Sequence, residues 1–179
     1  MLVPEPRRFE GRLRSEIRPD ILLTYYCLLI LKPPLLDVCD RCVNYHNRTL
    51  PAYRGIKATC WSVYNEDDET GVTFHHLSPR IDEGNVLIAG AIPIHPTHGS
   101  RRLESSKLEM AAGRIPHLLD PLAAHDSGEV QTGVARYYSK SESYKLVHID
   151  DPASLSGAEL CRGVRACQQI RINIKREAY

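Results

Sequence analysis

Hydrophobic positions fall in short blocks separated by proline, glycine and acidic residues, and the spacing inside each block predicts strands alternating with helices. Ile21 to Tyr26 is a continuous apolar run of strand length, the pattern of a strand buried on both faces in a parallel sheet. Pro33-Pro34 followed by Leu35-Leu36-Asp37-Val38 predicts a short helix entered through prolines, and Cys42 to His46 predicts the next strand, which makes a β-α-β unit. Asn47 to Gly55, with Pro51 inside and a closing glycine, is a loop. In Ile56 to Glu66 the apolar residues Ile56, Cys60, Val63 and Tyr64 fall at i, i+4, i+7 and i+8, one face of a helix, with Trp61 beside them. Strands are predicted at Gly71 to Leu77 and Val86 to Ile94, with a turn at Ile81-Asp82-Glu83-Gly84 between them.

Beyond these strands the pattern weakens. Leu103 to Ala112 predicts an amphipathic helix broken by Gly113 and Pro116, with a second short helical piece from His117. His125 to Ser141 reads as a loop around a strand at Val134 to Tyr138. A last helix spans roughly Ser154 to Cys167, with Ser154, Ser156 and Glu159 offering capping chemistry, and Ile170 to Lys175 alternates like an edge strand. Arg7 to Arg18 is helical in pattern, its arginines interleaved with Glu10 and Glu16 as on a solvated face.

Composition narrows the function classes. A chain of 179 residues with 42% hydrophobic and 25% charged positions is one globular unit. Lys+Arg 23 against Asp+Glu 22 leaves a formal charge of +1, which argues against nucleic-acid binding by bulk electrostatics. The apolar stretch Ile21 to Leu31 is too short to cross a bilayer, so no membrane partner is expected. Six cysteines are too few for a disulfide scaffold and suit a reduced, cytoplasmic setting. Cys39-Asp-Arg-Cys42 lacks a second pair at zinc spacing and reads as two small buried residues. His95, His98, His117, His125 and His148 also lack metal-site spacing, and no metal is expected.

Candidate chemistry sits at the end of the second strand. Asn44 and His46 are two apart and project to the same face, with Tyr45 opposite. In an open parallel sheet, ligands bind beyond the carboxyl ends of the strands, where the loop from Asn47 begins. Asp82 lies in a turn followed by Gly84, which lets the loop fold tightly. Amide, imidazole and carboxylate together suit acyl transfer to an amine: Asn44 donates to the oxyanion, His46 takes the proton and Asp82 supports the charged ring. His75 and His76 are adjacent and point to opposite faces of their strand, one into the core and one outward.

Val43-Asn44-Tyr45-His46-Asn47-Arg48-Thr49-Leu50-Pro51-Ala52-Tyr53-Arg54-Gly55 resembles the characteristic loop of the 10-formyltetrahydrofolate-dependent formyltransferases, among them methionyl-tRNA, glycinamide ribonucleotide and sugar N-formyltransferases. Glu69 to His75 and Ile81 to Leu87 are similar to the strand and aspartate-bearing loop that follow, and Asp82 stands 36 positions after His46. The resemblance implies an α/β, partial Rossmann-like domain with a parallel sheet at residues 1–125 and a small helical and extended region at 126–179. It implies Asn44, His46 and Asp82 as catalytic residues and 10-formyltetrahydrofolate as formyl donor. Leu29, Ile30 and Leu31 would hold the pterin through their backbone, and Leu77, Arg80 and Ile81 would close the other side of the folate pocket. Tyr53 and Arg54 are candidates for contacting the amine substrate, a small molecule or carrier-bound group; the alternatives are loop packing for Tyr53 and a surface ion pair for Arg54.

The chain departs from that pattern at Asn47, where the family usually has proline, and at Leu29-Ile30-Leu31-Lys32, where it has an Arg-Ile-Leu-Pro-like segment. It also enters the pattern nearly at the fourth strand. The expectation is therefore a fragment, a truncated product or a chain that completes its sheet as a homo-oligomer. Two other functions fit the same residues: hydrolysis of 10-formyltetrahydrofolate, with water in place of the amine, and a catalytically inactive folate-binding or assembly module.

Overall fold

The computed structural model describes residues 11–27, 30–37, 39–168 and 171–172. A four-stranded sheet is its centre, built from β1 (Ile21–Thr24), β2 (Arg41–His46), β4 (Glu69–His76) and β5 (Val86–Pro93), in the order β1-β2-β4-β5. β1 and β2 run parallel through α1 (Pro33–Leu36), which completes the expected β-α-β unit. The sheet is mixed, however: β4 is antiparallel to both β2 and β5. Apolar periodicity reports burial and not direction, so the two senses look alike in sequence.

The pleat sorts β2 and β4 into two faces. Val43 and Tyr45 with Val72 and Phe74 pack against Ala111, Leu118 and Leu122 of α3 (Ser100–Ala123) and form the main core. Each such side chain stabilises the fold by about 1.5–3 kcal/mol on burial. Asn44, His46, Thr73 and His75 therefore share the opposite face, and the register pairs Asn44 with His75 and His46 with Thr73. α2 (Ala58–Tyr64) follows the loop after β2 and packs on α5 (Gly157–Cys167) through Val63 and Ala166, together with Leu103.

Several elements differ from the sequence expectation. α3 is one helix of 24 residues, with Pro116 and Pro121 inside it and no break at Gly113. The carbonyls those prolines leave without a donor belong to Ala112 and His117, both solvent-exposed, while Leu118 and Leu122 beyond them are buried and hold the helix together. The buried face of α2 is Ala58, Thr59, Ser62 and Val63, with Ile56 left in the loop and Cys60 and Tyr64 half-buried. α4 (Lys140–Val147) was not expected, although Ser139 and Glu142 form a capping box that marks its start. The strand expected at Val134 to Tyr138 shrinks to β6 (Tyr137–Tyr138), parallel to β3 (Arg54–Gly55). Ser156 and Glu159 cap α5 as expected, and the described part of the expected edge strand is β8 (Arg171–Ile172) beside β7 (His148–Ile149), with Ile170 and residues 173–175 outside the described residues.

The strand expected at Ile21 to Tyr26 with both faces buried is instead the edge of the described sheet: β1 is half-buried, and Leu23, Tyr25 and Tyr26 on or beside it are exposed, because no described strand covers its outer side. No helix among the described residues is long and apolar enough to cross a membrane.

Candidate active site

Three backbone segments converge on the polar face of the sheet. β2 supplies Asn44 and His46, β4 supplies His75, and the loop between β4 and β5 supplies Asp82. His46 Nδ1 lies 3.4 Å from Asp82 Oδ2, and His75 Nε2 lies 3.5 Å from Asp82 Oδ1, so the carboxylate spans both rings. The second oxygen contact of Asp82 Oδ2 is the backbone N–H of Gly55 at 2.8 Å. Both histidines are fully enclosed, at 5% and 1% exposure.

Carbonyl partners fix the ring nitrogens. His46 Nε2–H donates to the Tyr53 carbonyl at 2.9 Å, which leaves the Nδ1 lone pair facing Asp82. His75 Nδ1–H donates to the His76 carbonyl at 2.9 Å, so its Nε2 accepts from Asn44 Nδ2 at 3.2 Å. Thr24 donates its hydroxyl to Asn44 Oδ1 at 2.7 Å. One Asn44 N–H is thereby spoken for, and the other has no partner among the described residues. Burial pushes the His46 pKa down, against the opposing pull of Asp82. Burial alone would raise Asp82, but the rings of His75 and His46 when protonated, together with the Gly55 N–H, outweigh it and hold the carboxyl below its ordinary range. The resting pair is neutral imidazole beside carboxylate, and the geometry holds a place for one further proton between them.

The loop from Asn47 to Lys57 is shaped for this delivery. Tyr53 and Asp82 meet His46 from left-handed backbone, at φ 57° and 53°, a conformation that costs roughly 1–2 kcal/mol per residue. Thr73 on β4 pins the loop by donating to the Arg48 carbonyl at 2.7 Å and accepting from the Leu50 N–H at 3.0 Å. Buried Arg48 reaches Asp67 at 3.2 Å and the Glu69 carbonyl. Gln131 clamps the aspartate loop, donating to the carbonyls of Asp82 at 2.9 Å and Gly84 at 2.8 Å while accepting from Arg54 at 2.8 Å.

The other sequence candidates divide. Tyr53 is 3% exposed, its hydroxyl bonded to Asp67 and its ring stacked on Tyr138, so its side chain packs the loop while its carbonyl serves His46. Arg54 pairs with Glu83 at 3.1 Å. Arg54, Arg80, Ile81, Glu83, Arg136 and Tyr137 line a cleft of about 410 Å³ next to the aspartate loop. Leu77 is tied to β2 by its N–H on the Cys42 carbonyl at 2.8 Å, Ile30 is exposed and Leu31 half-buried. Leu29 lies outside the described residues. Sequence reasoning placed one of His75 and His76 in the core or behind the site without choosing between them, and missed Gln131 as a clamp. The pairing of His75 with Asn44 depends on strand direction and register, which the sequence does not show, and a glutamine in a loop-like stretch carries no signal.

On one face of this mixed sheet, buried His46 and His75 and half-buried Asn44 meet half-buried Asp82 from the following loop. The formyl transferase family model matches residues 9–118, and the chain belongs to that family. It is 28% identical over 123 residues to GDP-perosamine N-formyltransferase of Brucella melitensis biotype 1, covering 68% of this chain and 48% of that protein. To methionyl-tRNA formyltransferase of Geobacter sulfurreducens it is 34% identical over 114 residues, covering 62% and 36%. The chain thus spans less than half the length of these curated relatives. The crystal structure of an N-formyltransferase from Helicobacter canadensis, solved with folinic acid and dTDP-3-aminofucose, superposes with a TM-score of 0.71 at 21% identity over 87% of this chain and 59% of that one, and shares the Rossmann-like fold.

Proposed function

We propose that the chain carries a formyl-transfer site moving the formyl group of 10-formyltetrahydrofolate to a primary amine in the cytoplasm. The observation that carries the reading is the enclosed His46–Asp82 pair at 3.4 Å, with a free N–H of Asn44 on the same face. Ile30, Leu31, Leu77, Arg80 and Ile81 would hold the folate; the exposed apolar Ile30 and Ile81 suit a flat aromatic ring. Bound folate supplies the formyl carbon.

The protein's own part is orientation and proton handling. Asn44 donates to the oxygen that gains charge as the amine attacks. Neutral His46 takes the amine proton at Nδ1, where the imidazolium is supported by Asp82 while its Nε2–H stays on the Tyr53 carbonyl; as the bond from the formyl carbon to the folate nitrogen breaks, that proton passes to the departing nitrogen. The Asp82 oxygen that faces His46 also accepts from the Gly55 N–H, and its other oxygen lies 3.5 Å from His75 Nε2. Arg54, with Arg80 and Arg136 in the same cleft, would face an anionic group on the acceptor.

The test is substitution of His46 by Ala and Asp82 by Asn, with turnover and folate binding measured separately. Loss of turnover with calorimetric binding of 5-formyltetrahydrofolate retained is expected; unchanged turnover in both variants ends the reading. Folate product formed without any added amine would point to hydrolysis instead, and binding without turnover in the unmodified chain to a non-catalytic module.

A further inference from the structure

Lys107 is the one charged residue on the buried side of its helix. That side of α3 is Ser100 at the first turn, then Leu103, Lys107, Ala111, Leu118 and Leu122, and Lys107 is 0% exposed. Its ammonium donates to the Asn47 carbonyl at 2.9 Å and to the Thr59 hydroxyl. Asn47 is the first residue after β2, and Thr59 lies in the first turn of α2. Between those two anchors runs the segment that brings the Tyr53 carbonyl to His46 and the Gly55 N–H to Asp82. We propose that Lys107 is a positioning residue for this site: one buried cation ties the two ends of the loop together.

Burial of an ammonium is costly, and a Leu or Met would complete the apolar stripe at lower cost. The groups facing Lys107 are Glu104 on its own helix at 3.9 Å, Arg48 in the loop and Cys60 on α2. Burial first, with Arg48 adding to it and Glu104 opposing, brings the Lys107 pKa down to about 8. Burial does most to keep the His46 ring neutral, Asp82 and the Tyr53 carbonyl oppose it, and His75 and then the Lys107 charge add to it. Glu104 also accepts from Asn47 Nδ2 at 2.6 Å and from the Tyr26 hydroxyl, so the countercharge is held by the same loop.

The role rests on the proposed formyl transfer, but its test does not need turnover. His46 ring signals, assigned with a His46→Gln control, are titrated by NMR in the full chain and in Lys107→Met, with exchange protection of amides 47–59 read on the same samples. The Met variant is expected to raise the His46 midpoint and to lower protection across the loop. An unchanged midpoint together with unchanged protection overturns the proposal, whether or not formyl transfer is found. Should Lys107→Met fail to fold, Glu104→Gln is used. Loss of its carboxylate lowers the Lys107 pKa, so the Asn47 and Thr59 amide shifts move at a lower pH than in the native chain. Shifts indifferent to pH from 6 to 10 in both proteins overturn the proposal equally.

Discussion

The Asn44 amide donates to His75 Nε2 at 3.2 Å while its oxygen accepts from Thr24, so both ends of the side chain are fixed and one N–H is free. Asn44→Ala removes the free donor and is expected to lower kcat about 10²- to 10³-fold, or roughly 3–4 kcal/mol. Thr24→Val keeps the donor but releases the oxygen that orients it, and a smaller loss is expected. Steady-state kinetics on the two variants checks the order; equal losses would mean that the hydroxyl does more than orient the amide.

The titration of His46 and Asp82 predicts how stability varies with pH. Burial places the folded pKa of His46 below 6.5, so the unfolded chain binds more protons in that window and stability falls as pH drops through it. Asp82 is held below 3.8 in the fold, so its contribution is present above 3.8 and is lost as pH falls through the folded value. Both act in the same direction. The melting temperature should fall on acidification below 6.5, and a His46→Gln variant should show a shallower fall between pH 6.5 and 5. Identical slopes for the two proteins would contradict the buried neutral imidazole.

Gly84 sits two residues after Asp82, where an added Cβ would run into the His76 carbonyl. Backbone holds the obstructing atom, so a rotamer change cannot relieve the clash. Gly84→Ala is expected to shift the aspartate loop, uncouple Gln131 from the Asp82 and Gly84 carbonyls, and cost about 1–3 kcal/mol as an overpacked contact. Chemical denaturation measures the cost, and a loss of turnover larger than the loss of stability would mark the loop as the affected part. A variant with wild-type stability and activity would show that the loop has room to move.

Much of this site was legible in the sequence because strand periodicity is strict. The spacing of Asn44 and His46 placed both on one face, with Val43 and Tyr45 turned to the core. The Ile-Asp-Glu-Gly turn was readable from its glycine. Strand direction was not, since an apolar run buried on both faces does not say whether its partner is parallel or antiparallel, and so His75 opposite Asn44 went unassigned. Nor was the continuity of α3, because Pro116 and Pro121 are local breakers that only packing of Leu118 and Leu122 overrides. Lys107 was hidden in the same way: a lysine among helix residues reads as solvated until the stripe on either side is known to be buried.

Cys60 offers a chemical probe of the packing between α2 and α5. A hydrogen bond from Cys167 lowers its pKa, Lys57 and Lys107 add to the effect, and burial opposes them. Cys42, by contrast, is pushed up to about 12 by burial and by its neighbour Cys39, whose sulfur lies 3.5 Å away. Iodoacetamide labelling followed by peptide mass spectrometry should give Cys60 a rate midpoint below the ordinary 9.0, with Cys42 unlabelled at neutral pH in the folded chain. Cys167→Ala removes the donor and should move the Cys60 midpoint upward without moving that of exposed Cys27. If Cys60 labels with an ordinary thiol profile in both proteins, Cys167 is not its partner and α5 does not sit on α2 as described.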